Sequence, residues 1–430
     1  MELEAENARL REALRALQER YDRLDASTTE QIQSLTDENE LLADANRLLL
    51  EKQEQSPSAP LEDTLSLLQV PDELLLPGAA LATRQLVALD DVHSFGNLLS
   101  VSAHATRPGI VLSGGADKCV CIHDWTTGTK LCAASTSAPV LAVAFNPREQ
   151  YADYFVAAGM DAKHALYRLV QDGEGWRVET VAEFHDHNRH GAFKLAWSAS
   201  GLLFATGSSD KSLNIYQCTG LEGTEGGEQC VKIQSFYFNG TVEALVFAPA
   251  SESDAGEEST TGGSHELLVV AVRDDCYVHY VDCFTFEKER VNMNPDGIEH
   301  VSYTIMDLSL SPSAKYLLAA TDSNRNFIFS IKQNVALRNF YGHKAGPYSQ
   351  PRAAWHPSEK YVISNNEESG SIFVWSVASE RIVETFDAHE ALVRDLVCPA
   401  TVSSTGSPLL VTVSYDKRMK IWESPLVKIM

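Results

Sequence analysis

The sequence predicts an all-β propeller of seven four-stranded blades, preceded by an α-helical coiled coil. Two observations carry this. Leucines recur at heptad spacing near the N-terminus, and a strand–turn–strand unit of about 45 residues then recurs seven times to the end of the 430-residue chain. Composition agrees: 44% of residues are apolar and 22% charged, enough to close a sizeable core. The boundaries read as 1–53 for the coiled coil, 54–82 for a linker and 83–430 for the propeller, with 83–92 closing the last blade.

In the N-terminal segment Leu3, Leu10, Leu17 and Leu24 are seven apart, and Leu14 and Tyr21 fill the companion seam position, which Asn7 occupies one heptad earlier. A second seam combines Leu35, Leu42 and Leu49 with Ile32, Asn39 and Asn46. The eleven residues from Leu24 to Leu35 are a heptad plus four, the arithmetic of a stutter. Ser27 and Glu30 also match a capping box, so a helix restart competes with a continuous rod. A buried asparagine fixes register by bonding its mate on a second chain, and an unbroken helix of ~50 residues would run ~75 Å, too long to lie on one domain. The rod is therefore expected to make a homodimer. The stretch EQSPSAP then breaks the helix.

The repeat is anchored on a tight polar turn between two apolar strands. Its turn residues are Asp117, Asp161, Asp210, Asp275, Asn324, Ser369 and Asp416, spaced 44, 49, 65, 49, 45 and 47 apart. A short strand ending near a proline or turn precedes each (LAVAFNP, DLSLSPS, RAAWHPS), and a fourth strand leads onward (VALRNFYGH, RIVETFDAH). Four short strands per unit is the signature of propeller blades. The chain ends soon after the third strand of its last unit, and RQLVALDDVHS (84–94) parallels RIVETFDAHE. That N-terminal strand is expected to complete the last blade and remove both open sheet edges. The long spacing of 65 holds the acidic, Ser/Gly-rich stretch 249–265, a disordered loop with candidate phosphorylation sites at Ser251, Ser253 and Ser259.

These fragments resemble the WD-repeat family over about four-fifths of the chain. The last unit matches best: His389, Thr412 or Ser414, Asp416 in the turn and Trp422. The resemblance implies that these groups form a buried hydrogen-bonded chain within the blade. It weakens elsewhere: Tyr216 stands at the tryptophan position of the third unit, and Ser369 replaces the sixth turn's aspartate although Trp375 survives. It also implies a partner-binding surface on the face bearing the His and Asp turns, around the mouth of a central channel. The candidate contacts are Asn97, Met160, Lys194, Glu243, Asp307, Arg352, Arg394 and Tyr415.

No catalytic constellation outranks a structural reading. His185, His187 and His190 fall where the family places a structural histidine, so no metal site is expected. Cys119 and Cys121 share one strand face and read as packing. The sequon Asn239-Gly240-Thr241 has no use outside the secretory path. With 59 acidic against 35 basic residues the net charge is −24, which disfavours nucleic acid and anionic lipid. No stretch reaches a membrane span, and eight cysteines without C-x-x-C spacing fit a reducing cytoplasmic or nuclear setting. The reading is a non-enzymatic scaffold or adaptor without cofactors that binds protein segments. The alternatives are a subunit of an enzyme complex, such as a ubiquitin-ligase substrate receptor, and a trafficking or autophagy adaptor. The F-R-R-G motif of phosphoinositide-binding propellers is missing, and WSVA and WESP stand where ligase receptors of the family carry W-D-x-R.

Overall fold

The structure, a computed structural model, describes residues 14, 15, 18, 20 and 70–427, apart from 174, 189–190, 192, 223–226, 250–265, 347–348 and 425. The chain divides into two units, Met1–Gln69 and Val70–Met430. In the first, Leu14, Arg15, Gln18 and Arg20 are helical and exposed. The predicted seam residues Leu3, Leu10, Leu17, Leu24, Leu35, Asn39, Leu42, Asn46 and Leu49 lie outside the described residues, as do Ser251, Ser253 and Ser259.

In the second unit the alternating apolar runs form seven antiparallel four-stranded sheets. Blades 1 to 6 take their strands consecutively from the chain. Blade 1 runs from Leu98–Ala103 to Thr129–Ser135, blade 2 from Val140–Phe145 to Gly175–Phe184, and blade 3 from Phe193–Trp197 to Gln229–Tyr237. Blade 4 runs from Val242–Pro249 to Lys288–Asn292, blade 5 from Ile305–Leu310 to Ala336–Tyr341, and blade 6 from Ala353–Trp355 to Ile382–Asp387. Blade 7 is composite. Its strands Val393–Val397, Leu409–Ser414 and Met419–Glu423 are joined by Arg84–Leu89, which pairs antiparallel with the third. The first strand of each blade lies against that of the next, and Val393–Val397 lies against Leu98–Ala103, so the ring is closed.

Two register shifts recur around the ring. In the first strand, the pairing skips Leu99, Leu141, Glu243, Met306 and Arg394 in blades 1, 2, 4, 5 and 7. In the outer strand it skips Leu131, Val181, Ile233, Leu337, Val383 and Leu86 in every blade but the fourth. A bulge bends its strand and sharpens the twist, which suits a sheet that runs from a crowded hub to a wide rim.

Stability comes from between the blades. Each of the seven interfaces holds an apolar cluster: Leu112, Phe145 and Phe155 between blades 1 and 2, for example, and Phe204, Tyr216 and Trp197 between blades 2 and 3. The interface of blades 7 and 1 contains Leu89, Leu98, Val413 and Ile421, joining the two ends of the propeller chain. Each such side chain contributes about 1.5–3 kcal/mol on burial.

The sequence reading assigns residues 70–82 to a linker, yet they pack as a strap on the propeller. A helical turn, Asp72–Leu75, buries Leu74 among Tyr316, Leu318, Trp355 and Val362 of blades 5 and 6. The Glu73 carboxylate accepts from the Tyr316 hydroxyl at 2.9 Å and Lys315 at 3.1 Å, and its carbonyl accepts from Lys360 at 2.9 Å. At Gly78 a Cβ would stand 2.4 Å from the Tyr361 hydroxyl, so a side chain there would push the strap off. Ala80–Leu81 then pairs with Leu426–Val427, and Thr83 bonds Glu384 at 2.6 Å before the strand enters blade 7. Because these contacts sit where second strands begin, the strap covers the face opposite the polar turns.

Candidate functional site

Two sets of groups organise the turn-bearing face. The first is a polar chain inside the blades. In blade 7 the Trp422 indole N–H donates to Thr412 Oγ1 at 3.0 Å, the Thr412 hydroxyl donates to His389 Nε2 at 2.8 Å, and His389 Nδ1–H donates to Asp416 at 2.9 Å. This one-way chain requires a neutral imidazole, and burial lowers the His389 pKa against the opposing pull of Asp416. The structure thus selects Thr412; Ser414 instead donates to the carbonyl of Ala391. Asp416 also accepts from the Glu390 amide, tying the turn to the preceding loop.

The other blades keep parts of this chain. His187, Thr206 and Asp210 repeat it in blade 3, where Tyr216, at the tryptophan position, donates to Asp186 at 3.1 Å. His93, Ser113 and Asp117 repeat it in blade 1. In blade 4 the imidazole comes from the third strand, with His279 on Asp275 at 2.9 Å. In blade 6 Ser369 stands at the aspartate position: it bonds Ser371 and Asn366, and Asn366 accepts the Lys344 amide in the carboxylate's stead. Blade 5 corrects one turn position. Pairing of Ala320 with Asn326 puts Ser323 in register with the other turn residues, while Asn324 follows it at φ 58° and accepts the Ala345 amide.

The second set lines the channel. Lys194 reaches from the first strand of blade 3 to the Met306 carbonyl in blade 5, 3.1 Å away. Arg352 bridges Asp307 at 2.9 Å and Asp395 at 3.4 Å, and Asp395 is fixed by Ser100 and the Val101 amide of blade 1. Arg273 pairs with Glu243 at 2.6 Å. Arg394 reaches Gln350 at 3.4 Å, and its Nη1 is buried with no partner among the described residues. Burial, reinforced by the charge of Arg352, pulls Lys194 down to about 7. Arg352 is held fully charged because Asp395 and Asp307 outweigh its desolvation. Removing one carboxylate would strand a buried cation, an expensive change.

Of the residues singled out from the sequence, Lys194, Glu243, Asp307, Arg352 and Arg394 therefore meet in one network. Lys194 and Glu243 are buried, so they brace the channel wall where a surface contact was expected. Asn97 is half-buried, its carbonyl taking the Ala116 amide. Met160 and Tyr415 are exposed at the polar turns of blades 2 and 7. The sequence reading passed over Asp395, Arg273 and Phe95. Phe95 is 62% exposed on the same face, in the loop entering blade 1, and an aromatic between two turn residues (Ser94, Gly96) was its available signal.

The family model "WD domain, G-beta repeat" matches residues 178–217 and 380–423. These stretches hold the His–Thr–Asp chains of blades 3 and 7. The chain therefore carries WD repeats, set in a seven-bladed propeller. Among curated relatives, it is 37% identical over 67 residues to "Periodic tryptophan protein 2 homolog" of Schizosaccharomyces pombe, a stretch spanning 16% of this chain and 7% of that protein. It is 23% identical over 124 residues to "GID complex subunit 7" of the same organism (28% of this chain, 23% of that protein). To "Autophagy-related protein 16" of Arabidopsis thaliana it is 31% identical over 71 residues (16% and 13%). The chain thus spans less than a quarter of the length of each of these relatives. Among the described residues no helix is long and apolar enough to cross a membrane. A WD-repeat propeller is generally an interaction scaffold for proteins without catalysis of its own.

The buried histidines of this WD-repeat ring make its stability pH-dependent. Burial lowers His123 and His343 to about 4 and His164 to about 3 from an ordinary 6.5. Below 6.5 the unfolded chain takes up protons that the folded chain refuses, so stability is complete above that value and lost as pH falls toward the folded values. Each group accounts for about 2 kcal/mol between pH 7 and pH 5. Urea midpoints at the two pH values will show a fall, and His343→Phe a shallower one; a flat profile would contradict the burial of neutral imidazoles.

Proposed function

We propose that this protein is a non-catalytic scaffold that holds protein partners on the turn-bearing face, around the channel mouth, and self-associates through its N-terminal rod. The observation that carries the reading is a set of exposed apolar groups, Tyr415, Phe95 and Met160, on three consecutive blades (7, 1 and 2) of that face. Arg394, on the first strand of blade 7, sets a cation on the same blade as Tyr415. Tyrosine and arginine are enriched among the residues that anchor interfaces. Their mounting is rigid: the channel charges are fixed by neighbours from different blades before any partner arrives, so little ordering entropy is lost on binding. The opposite face is partly occupied by the strap.

The heptad seams of residues 3–49 support self-association, and two linked propellers would gain avidity wherever partners are clustered. Work as a subunit of a larger assembly draws on the similarity to a relative named as a complex subunit.

Affinity purification tests the surface. The pair Met160→Asp and Tyr415→Asp changes exposed positions and is expected to leave the melting temperature within about 1–2 °C while releasing most of the proteins that the unaltered chain retains. An unchanged set of retained proteins would refute the surface. Light scattering tests the rod. The full chain should have twice its 47.2 kDa mass, and Leu17→Pro with Leu24→Pro should return it to the monomer. A monomeric parent chain would end the self-association reading.

A further inference from the structure

Blade 2 departs from its neighbours in a way that leaves room. Strand register places Ser137 where blades 1, 3 and 7 carry the histidine, and Ala157 where they carry serine or threonine. Asp161 remains at the turn and Tyr167 stands at the tryptophan position. All four line one cavity of about 270 Å³, whose wall continues through Val140, Ala165 and Phe184. A cavity of about 150 Å³ suffices for a benzene ring. The missing imidazole and hydroxyl-bearing side chain contribute to the space.

The chemistry of the lining is specific. Among the described residues Asp161 has no imidazole and no ion pair, and it accepts there from the Ser137 hydroxyl and, at 3.4 Å, the Lys163 amide. In blades 1, 3, 4 and 7 the corresponding carboxylate holds a ring nitrogen within 2.7–3.1 Å. A second carboxylate, Glu183, and the ammonium of Lys163 line the same cavity. His164 also lines it, buried, with neither ring nitrogen hydrogen-bonded. Blade 5, by contrast, carries Ser323 in place of the carboxylate and packs its interior with Ala319, Phe327 and Phe329.

We propose that the blade 2 cavity is a binding site for a small, flat, nitrogen-bearing ring of the imidazole class, which takes the place that the histidine holds in blades 1, 3 and 7. The ring donates one N–H to Asp161 and lies against Tyr167 and the small side chains Ala157 and Ala165. It is supplied either as a free small molecule or as a side chain of a bound polypeptide; the recognition chemistry is the same. The site is independent of the partner surface proposed above.

The test uses the full chain and two probes, imidazole and N-acetylhistidine methylamide, followed by ligand-observed saturation-transfer NMR and titration calorimetry. Imidazole is expected to bind with a dissociation constant of about a millimolar, as suits five heavy atoms. The double substitution Ser137→His and Ala157→Thr rebuilds the blade's own chain and should abolish binding. Asp161→Asn leaves the space and should weaken binding about tenfold. Because Asp161→Asn changes no volume, its result stands even if the double variant folds poorly. Binding of both probes supports a chain-borne ring as the occupant, and binding of imidazole alone supports a free small molecule. No binding of either, or equal binding to the parent chain and the rebuilt variant, overturns the proposal.

Discussion

The pairing of Arg84–Leu89 with Met419–Glu423 is the contact on which the remaining structure depends. A ring of sheets has no hierarchy of cores: each blade is buried only by its neighbours, so one open interface would expose apolar faces on two blades and two unpaired edges. Here the interface of blades 7 and 1 is closed by a strand contributed from the other end of the propeller, and Leu89, Leu98, Val413 and Ile421 meet only when it docks. The strap before it adds to the closure. Leu74, Glu73 and Gly78 hold residues 70–83 across blades 5 and 6, so the closing strand arrives already tethered.

Closure also explains why polar chemistry could drift from blade to blade. Once seven apolar interfaces carry the stability, the His–Thr–Asp–Trp chain of blade 7 is a local device that fixes a turn. Blade 4 redraws it with His279, blade 6 substitutes Asn366, and blade 5 replaces it with packing. Blade 2 lost the ring without refilling its place. At the hub the reverse holds. Lys194, Arg352, Asp307 and Asp395 come from four different blades, so the contacts they make across the hub form only as those blades come together.

The ring was readable because its signal is repeated. Seven polar turns at near-constant spacing outweigh any single departure, and the likeness of RQLVALDDVHS to RIVETFDAHE exposed the composite blade. Within a blade the choice between Thr412 and Ser414 could not be made from spacing: residues two apart share a strand face, and depth along the strand decides which meets the imidazole. Asn324 was placed one residue beyond the aligned turn position because blade 5 carries no aspartate there to anchor the count, only the run Ser323-Asn324-Arg325-Asn326. The channel was legible as candidates but not as a network. Its partners lie 30 or more residues apart, as with Glu243 and Arg273, and nothing local records that they face one another. Leu74 was hidden for a related reason: an apolar residue flanked by Pro71 and Pro77 carries no periodicity that names its docking site.

Amide hydrogen exchange across the outer strands tests the closed ring most directly. If Arg84–Leu89 seals blade 7, its amides will be protected as strongly as those of Ile382–Asp387 and Gln229–Tyr237 and will open with them in one cooperative step. Rapid exchange of Arg84–Leu89 while Met419–Glu423 stays protected would mean that the seventh blade stands open, and the account of a sealed propeller would fail.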